Sequence, residues 1–179
     1  MITPAMRDIE SEDPDRTLVG LDHRLKGPDR LKEKVGDQLH GRPGLESEQA
    51  VSNIKDAIRF TFEYSDEHYA AGVRADHARI ESRGFVLIEQ RNSWNQECYK
   101  GINSRWREPE TGQVFEVQFH TPVSFEAKQL THPAYERIRN PNTADAEVDE
   151  LYALQRDVCA RIPVPRGAAE IEDYPRKGA

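Results

Sequence analysis

Residues 114–121 read Val-Phe-Glu-Val-Gln-Phe-His-Thr, and their apolar and polar side chains alternate strictly. Neighbouring side chains of an extended strand point to opposite faces, so this stretch predicts a strand with one apolar face and one mainly polar face. The apolar face consists of Phe115, Val117 and Phe119, and the second face consists of Val114, Glu116, Gln118 and His120. Because a carboxylate, an amide and an imidazole lie side by side on the second face, Glu116 is a candidate site residue.

The bulk composition limits the kind of protein. The chain has 179 residues, 36% hydrophobic and 32% charged, which suits one polar domain with a modest core. Its net charge of −7 argues against nonspecific coating of nucleic acid, so we expect no DNA partner. No apolar run approaches the ~18 residues of a membrane span and no signal peptide is visible, so we expect no membrane partner. Two widely spaced cysteines, Cys98 and Cys159, indicate neither a disulfide framework nor a zinc site, and a reducing compartment is the default.

Periodicity and turn residues predict the order helix, strand, helix, strand, strand, strand, helix, helix. The predicted helices cover residues 28–40, 66–83, 124–130 (capped by Ser124) and 144–162, with a short helix at 4–10 followed by a loop. The predicted strands cover residues 54–64, 85–89, 99–106 and 114–120. Residues 166–179 are predicted to be a disordered tail. The order favours an α+β domain with a mixed, mainly antiparallel sheet of four to five strands flanked by helices.

A basic segment stands out in this acidic chain. Residues 24–34 contain five bases and two acids. Arg24 and Lys26 precede the predicted helix, whereas Arg30 and Lys34 lie one turn apart on it. Positive side chains at a helix N-terminus suit a phosphate site, because free backbone N–H groups and the helix dipole add to their charge. A solvated helix face with ordinary ion pairs is the alternative.

A second carboxylate, Asp56, falls on the predicted strand at 54–64, on the face that should be buried. A buried acid is costly unless it is paired or bound to a cation. One interpretation is therefore a salt bridge, for example to a lysine. The other is a metal site, in which Asp56 and Glu116 share a Mg²⁺ that also holds substrate phosphates.

Four motifs, taken in order, resemble the synthetase domain of RelA/SpoT-type alarmone synthetases, which transfer pyrophosphate from ATP to a ribose hydroxyl. Arg24-Leu-Lys26…Lys34 resembles the Arg-x-Lys…Lys segment that binds ATP. Ile54-Lys-Asp56-Ala-Ile-Arg59 resembles the Asp-x-x-Gly-x-Arg strand, whose Asp binds Mg²⁺. Tyr99-Lys-Gly-Ile-Asn103 stands where the family has Gly-Tyr-x-Ser-Leu-His, and Glu116-Val-Gln118-Phe-His120-Thr121 resembles its Glu-x-Gln-x-Arg-Thr signature. The helix with Lys128, His132 and Tyr135 resembles the helix that follows, and the match covers about residues 22–139.

The resemblance implies a Mg²⁺-dependent transfer of pyrophosphate from ATP, with AMP as the leaving group. The implied catalytic residues are Glu116, Asp56 and Arg59, of which Asp56 and Glu116 would also hold the metal. The implied ATP-binding residues are Arg24, Lys26 and Lys34, and Arg30 is added to them because it lies one turn from Lys34 on the predicted helix. The implied acceptor-binding residues are Tyr99, Lys100, Asn103, Gln118 and His120. The implied organisation is an N-terminal extension at 1–21, a pyrophosphokinase domain at 22–162 and a C-terminal tail at 163–179.

The departures from the family motifs lie mostly on the acceptor side. His120 stands where the signature has Arg, and residues 99–103 lack the Gly, Ser and His of their motif. The set is most similar to the synthetase-like domains of polymorphic or interbacterial toxins. That class implies (p)ppApp or (p)ppGpp synthesis on a purine nucleotide, or pyrophosphorylation of the tRNA 3′ end. It also implies an immunity or antitoxin partner and a cytoplasmic site of action after delivery into a target cell.

Two hypotheses of other classes stay open at this point. A metal-independent ribonuclease toxin would use His120, His132 and Lys128 as acid, base and phosphate clamp. An inactive interaction module would keep only the fold, although such a copy has no reason to keep Asp56 and Glu116. His120 itself is either a site residue or a hydrogen-bonded strand histidine.

Overall fold

The computed structural model of the protein describes residues 1–52, 54 and 56–175. The helices are α1 Ile2–Ser11, α2 Pro28–Gly41, α3 Ser47–Ser52, α4 Tyr69–Ser82, α5 Pro122–Ile138 and α6 Asp145–Ala160. The strands are β1 Arg16–Val19, β2 Arg59–Tyr64, β3 Val86–Asn92, β4 Ile102–Arg107 and β5 Val114–His120. Within the described ranges, no helix combines the length and the apolar composition that crossing a membrane requires.

The five strands form one sheet in the order β1-β2-β5-β4-β3. β2 and β5 are parallel, and the three other neighbouring pairs are antiparallel. The alternating stretch at 114–120 is therefore the central strand, with one parallel and one antiparallel neighbour. The predicted α+β fold with a mixed, mainly antiparallel sheet is confirmed.

The apolar face of the sheet carries the main core. Phe62 of β2 stacks on Phe119 of β5 with ring centroids 6.2 Å apart, and Phe60 meets Phe115 edge to face. Helices α1 and α4 cover this face with buried side chains, among them Met6, Ile9, Val73 and Ile80. Full burial of such a side chain stabilises the fold by roughly 1.5–3 kcal/mol, so this layer fixes the position of β5.

The second face of β5 is buried too, because α5 packs against both β5 and β2. Glu116, Gln118 and His120 are only 6%, 4% and 0% exposed. The chain turns into α5 immediately after β5, where Thr121 caps the helix through a reciprocal hydrogen-bonded pair with Ser124. The prediction of Ser124 as the cap is wrong by one turn, since Ser124 is the third helical residue. The polar side chains of β5 thus form a buried polar layer between sheet and helix.

β2 is shorter than the predicted strand at 54–64, because residues 56 and 57 turn before the chain enters the sheet. A short bridge pairs Leu25 with Ile58, and the backbone N–H of Lys26 donates to Ala57 O at 3.0 Å. Asp56 therefore lies ahead of the strand, and the prediction of a strand position for it is wrong. Residue 55 of the predicted strand lies outside the described residues.

Both ends of the chain contribute to the fold more than the sequence indicated. β1 occupies residues that were predicted to be loop, and it pairs with β2 at one edge of the sheet. At the other end, the described part of the predicted disordered tail is ordered: Ala168 and Ile171 are buried in the core. The backbone of Tyr174 exchanges two hydrogen bonds with that of Gln90 on β3. Short irregular segments of this kind have no periodicity by which sequence could predict them.

Asn92 anchors the C-terminal segment to β3, so its truncation should destabilise the fold. Its Nδ2 donates to Ala168 O and Ile171 O at 2.8 and 2.7 Å, and its Oδ1 accepts from Trp94 N at 3.0 Å. Because Asn92→Ala leaves these backbone groups without their partner, we expect a loss of about 2–4 kcal/mol in the free energy of unfolding. Urea denaturation of the wild type and the variant measures this loss. The control Asn95→Ala, at an exposed position of the next loop, should change stability by less than about 0.5 kcal/mol.

Candidate active site

Arg59 joins the two carboxylates that the sequence singled out. Its Nε donates to Glu116 Oε2 at 2.7 Å, and its Nη2 lies 3.8 Å from Asp56 Oδ2. The parallel register of β2 and β5 makes Arg59 and Glu116 direct partners, so the sheet itself sets the first contact. Burial alone would lower the pKa of Arg59, but the charges of Glu116 and Asp56 outweigh it and raise the pKa. The charged guanidinium holds together carboxylates from distant parts of the sequence.

Two lysines of the basic segment surround Asp56. Lys34 Nζ donates to both carboxylate oxygens at 2.8 and 2.7 Å, and Lys26 Nζ lies 3.0 Å from Oδ2. The bridge between residues 25 and 58 brings Lys26 to this place, and α2 brings Lys34. Burial alone would raise the pKa of Asp56, but hydrogen bonds and charge from Lys34 and Lys26 lower it to about 2. Asp56 is therefore ionised at neutral pH, in the salt bridge that was one of its two interpretations.

A cavity of about 690 Å³ opens beside Asp56, between α2 and the sheet. Lys34 and Asp56 line it together with Arg42 and Arg105; the rest of the lining is Asp37, Gln38, Gly41 and Ile54. Arg105 lies on β4 directly opposite Glu116 and forms an ion pair with Glu89. The volume lies within the range of roughly 300–1,000 Å³ that is typical of small-molecule sites.

A hydrogen-bonded chain continues from Glu116 towards α5. Gln118 Nε2 donates to Glu116 Oε1 at 3.1 Å, and Gln118 Oε1 accepts from Lys128 Nζ at 2.5 Å. Strand alternation places Glu116 and Gln118 on the same face, and the helix that begins at residue 122 carries Lys128 across them. Both oxygens of Glu116 thus have a donor, one from Arg59 and one from Gln118.

Tyr99, Asn103 and His120 form a second polar group next to this chain. Tyr99 Oη donates to Asn103 Oδ1 at 2.9 Å and lies 2.9 Å from His120 Nε2, and His120 Nδ1 lies 2.9 Å from Ser124 Oγ. Burial, with a contribution from the charge of Lys128, lowers the pKa of His120 to about 3, so the ring is neutral. Burial raises the pKa of the Tyr99 hydroxyl well above its usual value. A neutral imidazole therefore orients the tyrosine where the family signature has a cationic arginine.

Two predicted site residues, Arg30 and Lys100, have partners outside the cluster. Arg30 is 63% exposed and forms ion pairs with Glu33 and Glu136, as in the alternative of a solvated helix face. Lys100 donates to the carbonyl oxygens of Trp94 and Gln96, at 2.9 and 2.6 Å.

Arg24 contacts the site through its backbone. Its carbonyl oxygen accepts from Arg59 N at 2.8 Å, and its guanidinium donates to Leu21 O at 2.9 Å. The structure therefore assembles Lys26, Lys34, Asp56, Arg59 and Glu116 into one cluster and leaves Arg30 and Lys100 outside it.

Sequence reasoning missed Arg42, Arg105 and the position of Lys128. Arg105 carried a usable signal, because it follows Asn103 by two residues on a predicted strand and so shares its face. Arg42 follows the predicted helix at 28–40. Beyond the end of a helix, the sequence pattern no longer indicates the direction in which a side chain points. The placement of Lys128 depends on how α5 crosses the sheet.

Asp56 and Glu116 are the candidate ligands for Mg²⁺. In the described part of the chain, no group of three or more His, Cys, Asp or Glu side chains is arranged to hold a metal ion. Mg²⁺ in phosphoryl-transfer sites takes one or two carboxylates and completes its coordination with water and phosphate oxygens. Two carboxylates linked through one arginine fit such a nucleotide-bound ion rather than a cage made by the protein alone.

One motif departs from the family pattern in spacing. In Asp-x-x-Gly-x-Arg the acid precedes the arginine by five residues, whereas Asp56 precedes Arg59 by three. The turn at residues 56 and 57 nevertheless brings Asp56 to Arg59, so the acid and the arginine meet despite the shorter spacing.

The geometry is unfavourable for the metal-independent ribonuclease. Its proposed acid or base, His120, is fully buried and neutral, with both ring nitrogens hydrogen bonded. Its second histidine, His132, is 59% exposed and lies 3.8 Å from Glu136 further along α5. Among the described residues, the site therefore has no pair of accessible histidines that could exchange protons with RNA.

Neither a protein-family profile nor a curated protein sequence matches the chain. Solved structures do match. A GTP pyrophosphokinase family protein from Streptococcus pneumoniae aligns with a TM-score of 0.59 at 12% identity, over 96% of this chain and 91% of that one. Small alarmone synthetase 1 from Bacillus subtilis, bound to its product pppGpp, aligns with a TM-score of 0.57 at 14% identity, over 89% and 82%. Small alarmone synthetase 2 from Bacillus subtilis gives 0.55 at 14% identity, over 86% and 82%.

These similarities define the class of fold. The chain has the fold of the small alarmone synthetases, as the resemblance of its motifs to RelA/SpoT-type synthetase domains implied. The shared architecture spans nearly the whole chain.

Gly101 approaches His120 so closely that a methyl group should not fit. A Cβ at this position would lie 2.8 Å from His120 Cε1 and 3.0 Å from Phe119 O, and φ is +151°. We expect Gly101→Ala to cost about 3 kcal/mol in the free energy of unfolding, from the clash and the strained backbone together. The control Gly112→Ala, with φ +72° and open space around it, should cost only about 1–2 kcal/mol. Equal losses in urea denaturation would contradict the close contact.

Proposed function

We propose that the protein transfers pyrophosphate from ATP to the ribose 3′-hydroxyl of a purine nucleotide. The observation that carries the proposal is the cluster in which Arg59 links Asp56 and Glu116 while Lys26 and Lys34 hold Asp56. The alarmone synthetase fold supports the proposal. Of the similar structures of small alarmone synthetase 1 from Bacillus subtilis, one is bound to its product pppGpp and another to the ATP analogue AMPCPP.

The donor ATP would bind in the cavity beside Asp56. The ammonium groups of Lys26 and Lys34 now neutralise Asp56, and the phosphate oxygens of ATP would offer them charge-assisted partners of higher total negative charge. When ATP binds, the ammonium groups of Lys26 and Lys34 would exchange their contacts with Asp56 for contacts with the triphosphate. Asp56 would then be free to hold a Mg²⁺ that arrives with the nucleotide. Arg42 and Arg105 line the same cavity and would contact the nucleotide from the sides of α2 and β4.

In the transfer step, the 3′-oxygen of the acceptor forms a bond to the β-phosphorus of ATP. The bond from that phosphorus to the oxygen bridging α and β breaks, and AMP leaves with the electron pair. Glu116 accepts the hydroxyl proton; each of its oxygens has one hydrogen-bond donor in the cluster and keeps a further lone pair. Arg59 neutralises charge that develops on the transferred group.

Mg²⁺ is the cofactor of this proposal. Asp56 and Glu116 would hold the ion, which neutralises phosphate charge and orients the diphosphate. The protein side chains then have mainly a positioning role, which is typical of phosphoryl transfer.

For the acceptor, we propose a purine nucleotide whose base stacks on Tyr99, with Gln118 and Asn103 as polar contacts. Base–aromatic stacking is worth about 1–3 kcal/mol. The pppGpp of the Bacillus subtilis structure supports a guanosine acceptor, and the departures at residues 99–103 and 120 support a change to adenosine nucleotides or the tRNA 3′ end. A toxin role in a target-cell cytoplasm and an immunity partner rest on the motif resemblance alone.

The activity is tested with γ-phosphate-labelled ATP, Mg²⁺ and, in separate reactions, GDP, ADP or deacylated tRNA. We expect one acceptor to gain both the label and two phosphates in mass while an equal amount of AMP appears. Chelation of Mg²⁺ with EDTA should stop the reaction, whereas a metal-independent ribonuclease would still cut RNA. Absence of AMP release with every acceptor contradicts the proposal.

Glu116→Gln and Asp56→Asn should each lower the transfer rate by at least about 100-fold, because each removes one carboxylate and leaves the shape of the side chain unchanged. The matched controls are Glu110→Gln and Asp66→Asn, at exposed positions outside the cluster, and both should keep the wild-type rate. Circular dichroism confirms that all four variants are folded. A Glu116→Gln or Asp56→Asn variant with most of its activity would remove that residue from the mechanism.

A further inference from the structure

Lys128 is a cation of the site without an anionic partner. Its Nζ donates to the amide oxygen of Gln118 and lies 5.1 Å from the centroid of the Phe125 ring. In the described part of the chain, no carboxylate forms an ion pair with it. By contrast, Lys26, Lys34 and Arg59 all contact a carboxylate. Lys128 thus adds a positive charge to those that contact the carboxylates of the cluster.

A partly buried ammonium group that contacts no carboxylate destabilises the fold, because its charge loses part of its hydration. Lys128 is partly buried, and burial, together with the charge of Arg59, lowers its pKa to about 8 although Glu116 acts in the opposite direction. A methionine would fill the same space over Phe125 without desolvating a charge. The retained charge therefore points to an anion that binds here.

The position of Lys128 indicates which anion. The cluster forms a chain of contacts from the donor lysines through Asp56, Arg59, Glu116 and Gln118 to Lys128. The diphosphate to be transferred lies, in the proposed function, between Asp56 and Glu116. Lys128 is at the opposite end from the donor lysines, on the side of Tyr99 and His120, where the acceptor would bind.

The neutral charge of His120 also indicates a role for Lys128. The family signature has an arginine at this position, whereas the His120 ring is fully buried and neutral. The acceptor side has therefore lost one cation on β5, and α5 provides one in Lys128, close enough for its charge to contribute to the lowered pKa of His120. The exchange keeps a positive charge on this side and moves it from the strand to the helix.

We propose that the Lys128 ammonium group binds the 5′-phosphates of the acceptor nucleotide, in place of the arginine that the signature has at position 120. This proposal rests on the proposed function for the identity of the ligand. It gives Lys128 a role in acceptor binding that the motif resemblance does not assign to it, and it predicts selectivity for phosphorylated acceptors over free nucleosides.

The experiment measures binding, so it does not depend on turnover. Calorimetry is performed on Lys128→Met and wild type at saturating AMPCPP and Mg²⁺, which occupy the donor side, with GDP, ADP, guanosine and adenosine as titrants. One of the two nucleoside diphosphates should bind to the wild type. We expect Lys128→Met to lower the affinity for that diphosphate by about 10–100-fold, the usual effect of a lost charge-assisted hydrogen bond. The affinity of the matching nucleoside should stay the same.

The variant Lys128→Arg keeps the charge and should recover most of the affinity for the diphosphate. Arg161→Met removes one positive charge from an exposed position after α6 and should bind like wild type. Equal affinity of Lys128→Met and wild type for the diphosphates overturns the proposal, as does an equal loss for diphosphate and nucleoside, or a wild type that binds neither GDP nor ADP. Failure of the proposed function would give a different result. The labelled-ATP assay would then show no transfer, while Lys128→Met would still bind the diphosphate more weakly than the wild type.

Discussion

The ion pair between Arg59 and Glu116 determines how the rest of the site is arranged. It is set by the sheet, because the parallel register of β2 and β5 makes the two residues direct partners. The second end of the guanidinium reaches Asp56, and Asp56 in turn orders Lys26 and Lys34. Without Arg59, the buried carboxylate of Glu116 would keep only the amide of Gln118 as its partner, and its charge would have to be met by protonation or by a bound cation.

The buried polar face of β5 explains both the stability and the chemistry of this arrangement. Polar groups under α5 are tolerated because each has a partner: Glu116 has Arg59 and Gln118, and His120 has Tyr99 and Ser124. Such a network fixes side-chain positions and excludes water, and both effects strengthen interactions with a charged substrate. The neutral His120, and Lys128, which contacts no carboxylate of the described residues, then distribute charge differently from the family signature, on the side where substrate choice would be made.

Local sequence patterns predicted the parts of the fold that have strong periodicity. β5 was predicted with its observed bounds, because its strict alternation reports both faces of one strand. A link between Asp56 and Glu116 was one of two interpretations of the residues themselves, and the motif resemblance favoured it, since separation in sequence says nothing about contact in space. Arg59 was recovered by the same route, although its bridging geometry follows from strand register, which sequence does not reveal.

The failures share a physical cause, which is dependence on contacts made far away in the chain. β1 and the segment around Ile171 are short and become ordered only by pairing with β2 and β3. Arg30 was assigned to ATP from helix spacing, but Glu136 on α5 competes for it. Lys128 reaches the site through the crossing of α5, which leaves no local signal. Arg105 reaches it through the pairing of β4, although strand alternation already placed Arg105 on the same face as Asn103.

The central claim is that the cluster around Arg59 is a nucleotide site, and a calorimetric titration with AMPCPP and Mg²⁺ tests it most directly. The account predicts one binding site per chain in the wild type. It also predicts an affinity at least about ten-fold lower in Arg59→Gln, because that variant loses the charge and the link between the carboxylates. Folded wild-type protein that binds no AMPCPP, or an Arg59→Gln variant that binds it as tightly as the wild type, would contradict the account.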